Sequence, residues 1–153
     1  MSRFGPLEAR GSSLVLGDAG GHHAELTASA LVLREYQEAP VSIAWTRIED
    51  VTLTLPETRF RLPGLATTVG LGVLGAIFHD WNIGSEIDDG ELRVAIAGAE
   101  PVVVPLTRHH VGGYWAKSVR AASALLARLV VDPASRPLVS EPERLVRLLA
   151  SGR

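Results

Sequence analysis

Cysteine is absent from the chain, which excludes a disulfide framework, a thiol nucleophile, a zinc ribbon and an iron–sulfur cluster. Aromatic residues make up only 5%, too few for a groove lined by base- or sugar-stacking rings. Neither charge dominates: 15 basic residues stand against 17 acidic ones for a formal net charge of −2, so the chain as a whole exerts no long-range pull on nucleic acid. Lysine is nearly missing, with fourteen Arg and one Lys, Lys117. That skew accompanies an Ala-, Leu- and Val-rich composition of the kind GC-rich coding produces, and taken alone it is no sign of phosphate recognition. No apolar run follows Met1-Ser2-Arg3, so no secretory signal is expected and the predicted location is cytoplasmic, or peripheral to a membrane.

What is present suits one domain. At 153 residues, 46% of them hydrophobic, the chain is long enough to close a single core. Residues 10–107 alternate with period two in short runs separated by Gly, Pro, Asp and Ser, the pattern of half-buried strands in a meander. Leu14 and Leu16, then Val41, Ile43 and Trp45, then Val51, Leu53 and Leu55, and later Leu92, Val94 and Ile96 mark the inward positions. Over residues 113–131 the period changes. Trp115, Val119, Ala122, Leu126 and Leu129 recur at helical spacing, with Lys117, Arg120 and Arg128 on the other side. Asp132-Pro133 ends that helix. A second helix is predicted over about 141–151, opened by Ser140 and Glu143 at capping-box spacing. The predicted class is α+β: a mainly antiparallel meander or partly open barrel, a long amphipathic helix, and a short second helix at the C-terminus.

The order of these elements, and the stretch Trp45-Thr46-Arg47-Ile48-Glu49-Asp50-Val51 after the run Val41-Ser42-Ile43-Ala44, resemble bacterial pleckstrin-homology-like domains. The resemblance implies a β-barrel-like binding module. It leaves the ligand open, because that fold hosts lipid binders, peptide binders and architectural modules alike.

Several patterns invite a chemical reading. Gly70-Leu71-Gly72-Val73-Leu74-Gly75 matches the dinucleotide-binding glycine spacing, but no βαβ unit surrounds it, and no cofactor is expected. Residues 63–78 are apolar and glycine-rich, shorter than the ~20 residues that span a bilayer, and are expected to form a buried strand or an apolar loop. Five histidines, paired as His22-His23 and His109-His110 with His79 beside Asp80, lack metal-ligand spacing, so no metal is expected. Residues 80–91 carry five acids and no base and read as a solvated loop.

Residues 101–131 have the opposite bias, with Arg108, Lys117, Arg120 and Arg128 and no acid. Here Arg108, His109, His110, Gly112 and Gly113 lead into the long helix, whose first-turn amides favour an anion. Arg108, His109, His110, Gly112, Gly113, Lys117 and Arg120 are therefore the predicted ligand-binding set, with one histidine facing outward beside Arg108. The competing structural reading has Tyr114 and Trp115 anchoring the helix while the glycines permit a tight turn. The function this supports is a non-catalytic binding or scaffolding module for a protein partner or an anionic surface. An enzyme using His109 or His110 with a carboxylate, and a self-associating structural protein, are the alternatives.

Overall fold

A computed structural model describes residues 2–58, 90–109 and 113–152. The expectations for residues 63–78, for the glycine run 70–75, for the acids of 80–89, and for His79, His110 and Gly112 lie outside the described residues.

The chain is α+β with mostly antiparallel sheet. Six strands follow one another in a single meander: β1 (Arg3–Phe4), β2 (Leu7–Arg10), β3 (Ser13–Gly17), β4 (His23–Leu26), β5 (Ala30–Arg34) and β6 (Val41–Ala44). A short 3-10 turn, Trp45–Arg47, leads into β7 (Ile48–Thr54), which pairs with β9 (Gly90–Ile96), and β9 pairs with β10 (Val102–Leu106). A parallel pair, β8 (Glu57–Thr58) with β11 (Tyr114–Trp115), stands outside the antiparallel pattern. Helix α1 (Ala116–Val131), a 3-10 segment (Pro133–Ser140) and helix α2 (Pro142–Ser151) complete the chain. Among the described residues the two larger sheets do not share a ladder. They are stitched where Thr107 N–H donates to His22 O and Asp18 N–H donates to Thr107 O, both at 2.9 Å.

The alternating residues behave as a half-buried sheet requires. Leu14, Leu16, Leu31, Leu33, Leu92 and Val94 are all buried, and Trp45 closes the meander with its indole N–H donating to Thr27 O at 2.8 Å. Helix α1 lies over β7, β8 and β11 and buries Val119, Ala122, Leu125, Leu126 and Leu129, while Lys117, Arg120 and Arg128 stay exposed. Its docking is close. Gly5 turns the chain between β1 and β2 at φ +59, and a Cβ there would run into the Ser118 side chain of α1.

Two boundaries and one cap differ from expectation. The meander begins at Arg3, ahead of residue 10, because β2 hides its period: Leu7, Glu8 and Ala9 are all buried. Helix α1 starts at Ala116, since Tyr114 and Trp115 are held extended against β8. Helix α2 starts at Pro142 without a capping box. Glu143, the residue that would complete the box, instead accepts hydrogen bonds from the hydroxyl and the backbone N–H of Ser2.

Leu126 is fully buried in the main core. Leu126→Ala is expected to cost about 2–5 kcal/mol of folding stability, whereas Arg120→Ala, on the wet face of the same helix, is expected to stay within about 0.5 kcal/mol. Urea unfolding of the two variants checks the docking; similar small changes in both would refute it.

Candidate functional site

The junction of β10 with α1 holds two arrangements, one buried and one at the surface. The buried one begins with Glu8, 6% exposed. A carboxylate so enclosed needs partners to remain charged. Arg3 Nη2 donates to Glu8 Oε2 at 2.7 Å, and His109 Nε2 lies 3.2 Å from the same oxygen. On its other side His109 Nδ1 is 2.8 Å from the Tyr114 hydroxyl, which also accepts the His109 backbone N–H at 3.1 Å. A neutral ring satisfies these contacts when Nε2–H donates to Glu8 and Nδ1 accepts from the tyrosine O–H. The His109 and Tyr114 rings meet edge to face, 5.9 Å between centroids.

The electrostatics match that neutral tautomer. Burial, followed by the positive charge of Arg3, holds the His109 imidazolium pKa below its ordinary 6.5, although Asp18 and Glu8 act the other way. Burial alone would raise the Glu8 carboxyl, but the hydrogen bond and charge of Arg3, joined by His109, bring it below 4.5. Desolvation pushes the Tyr114 phenol up.

The surface arrangement is an open groove of about 450 Å³ lined by Glu57, Thr58, Trp115, Ala116, Lys117 and Arg120. It sits at the N-terminus of α1, whose first turn carries no acidic residue and receives no capping hydrogen bond from the side chain of Trp115. Lys117 Nζ stands 5.6 Å from the Trp115 ring centroid. The same ammonium borders Gly152 at the carbonyl end of α2, where a Cβ would sit 3.1 Å from it, a favourable place for a cation.

The predicted set thus divides. Lys117 and Arg120 come together on the groove, on the exposed face foreseen for them. His109 does not face outward: its side chain is 2% exposed and turned toward Glu8. Arg108 is half-buried. Gly113 is buried at φ +75 with Pro56 O 2.7 Å from where a Cβ would lie, so it serves the approach of β11 to β8, in which Tyr114 N–H donates to Pro56 O at 2.8 Å. His110 and Gly112 belong to the residues outside the description. Tyr114, 1% exposed, fills the anchoring role expected of it. Arg3, Glu8, Glu57 and Thr58 were not legible as site residues, because each reaches the junction from a distant part of the sequence. Among the described residues no three His, Asp or Glu side chains gather as a metal site would require. Comparisons with family models, curated proteins and solved structures return no match.

A neutral histidine sets the direction of the pH dependence. In the unfolded chain it takes up its proton near pH 6.5, before the folded one does, so stability is complete above that pH and declines as the medium is acidified below it. Glu8 adds a second decline as pH falls below 4.5 toward its folded value. Denaturant titrations across the acid range are expected to show both limbs in the wild type. His109→Gln is expected to lose the first and to cost about 1–3 kcal/mol at neutral pH from the broken network. An unchanged first limb in the variant would assign it elsewhere.

Proposed function

We propose that this chain is a non-catalytic binding module that docks an anionic surface, of a membrane or of a partner protein, through Lys117 and Arg120 at the N-terminus of α1. The carrying observation is the groove itself: the two cations share one open wall with Trp115 and the uncapped first turn of a sixteen-residue helix. Backbone N–H groups at such a terminus complement negative charge, and Trp115 offers apolar and π surface beside it. Glu57 also lines the groove, and its charge repels an anionic group placed beside it, which favours an orientation.

The enzymatic alternative draws less support. His109 does meet a carboxylate, as that reading asks, but the pair is buried, and the imidazole has both nitrogens engaged within the protein. Its geometry is that of a structural lock. At the level of fold, the six-strand meander, the second sheet and the helix after the last long strand support a pleckstrin-homology-like reading. The parallel β8–β11 pair and the absence of a closed ladder among the described residues are its departures. No helix of the described residues is long and apolar enough to cross a membrane.

Co-sedimentation with vesicles, with and without anionic lipid, and titration with polyglutamate separate the two kinds of surface. Binding is expected to require negative charge and to weaken as salt rises. Replacing both Lys117 and Arg120 by Ala is expected to weaken binding about thirtyfold, at ~1 kcal/mol for each cation, with the fold intact. A wild type that binds neither probe at low salt refutes this function.

A further inference from the structure

Three charged side chains line the groove beside α1, and they are not of one sign. Lys117 and Arg120 are joined there by Glu57, and all three are exposed. The parallel register explains the company: Glu57 stands opposite Tyr114 and Thr58 opposite Trp115, so the acid lies one strand across from the residues that lead into the helix carrying both cations. Acid and cations nevertheless do not neutralise one another. Among the described residues no salt bridge joins Glu57 to Lys117 or Arg120.

A uniformly anionic ligand would meet that acid at a loss. One charge beside a membrane surface changes binding about fivefold, so Glu57 would cancel the contribution of one of the two cations. A ligand that carries an ammonium together with two anionic groups would instead engage all three side chains. The serine headgroup of a phospholipid has that composition: a phosphodiester, a carboxylate and an ammonium, the last two on one carbon. A glycerol headgroup has the same net charge and no ammonium.

We infer that the groove selects a phosphoserine headgroup, Lys117 and Arg120 taking its phosphate and carboxylate and Glu57 taking its ammonium. This selectivity rests on the anion-docking reading of the same groove and deepens it. The planar fork of Arg120 suits either anion. Two features favour a membrane as the source. The groove is open, so a small free molecule would stay largely in water and bind weakly. Trp115 is half-buried with its ring beside the Lys117 ammonium, and an indole so placed is the amphipathic group that settles at headgroup level. A run of acidic residues on a protein offers carboxylates without the ammonium, and Glu57 would repel it.

Phosphatidylcholine vesicles carrying equal mole fractions of phosphatidylserine or of phosphatidylglycerol present the same surface charge and differ in the ammonium. The wild type is expected to bind the serine vesicles about fivefold more tightly. Glu57→Gln is expected to erase the preference, weakening binding to phosphatidylserine and strengthening it to phosphatidylglycerol, with the urea midpoint retained. Glu57→Lys is expected to reverse it. Equal binding of the wild type to both vesicles overturns the selectivity and leaves the anion-docking function standing, whereas binding to neither vesicle nor polyglutamate removes both. A preference that survives Glu57→Gln overturns the part given to Glu57. Binding to polyglutamate as tight as to the serine vesicles overturns the membrane source, as does saturation by soluble O-phospho-L-serine in a protein that ignores the vesicles.

Discussion

A carboxylate closed into the protein interior constrains the rest of the structure. Glu8 sits between buried Leu7 and Ala9 on β2, and a charge in that position is tolerable only if other groups come to it. Arg3 arrives from the preceding strand and His109 from the far end of β10, 101 residues along the chain. Tyr114 then holds the imidazole from its other side while its own backbone N–H ties β11 to the residue before β8. The chain's first strands, the exit of the second sheet and the entry to the long helix are therefore fixed to one another by a single polar chain. Hydrophobic burial supplies most of the driving force and fixes the register within each sheet, but it is not directional. The directional bonds around Glu8 select one arrangement of these three parts.

That constraint also divides structural from displayed chemistry. A histidine and a tyrosine next to an arginine look like reactive groups in a sequence, yet in the fold their polar atoms are turned on each other and away from water. What remains at the surface of the same junction is simpler, two cations and an indole at the start of a helix. Lys117 contributes on both sides, since its ammonium borders the carbonyl end of α2 as well as the groove. The surface therefore inherits its geometry from the buried lock. A shift of β11 would move Trp115, the start of α1 and the cations together.

The sheet edges express a related economy. Proline in β10, an irregular register in β7 and a two-residue β1 leave little for another strand to join.

Where neighbours along the chain decide the outcome, the sequence was sufficient. Alternation places Leu14, Leu31, Leu92 and their fellows inside a sheet, because successive side chains of a strand point to opposite faces. Helical spacing places Val119, Ala122, Leu126 and Leu129 on one side of α1, and Asp132-Pro133 stops it at Val131. The exposure of Lys117 and Arg120 follows from the same geometry. Tertiary structure alone decided what depends on partners remote in sequence. Strand β2 was illegible because Glu8 looks like a solvent-facing residue until Arg3 and His109 are found beside it. The inward turn of His109 was illegible for the matching reason: its neighbours allow either face, and a carboxylate from the other end of the chain chooses between them. The start of α1 at Ala116, the parallel pairing of Tyr114 with Glu57, and the failure of Ser140 and Glu143 to form a capping box all arise in this way. Local periodicity is a property of the backbone's own repeat, whereas the cost of burying a charge or leaving an amide unpaired is settled only when distant segments meet.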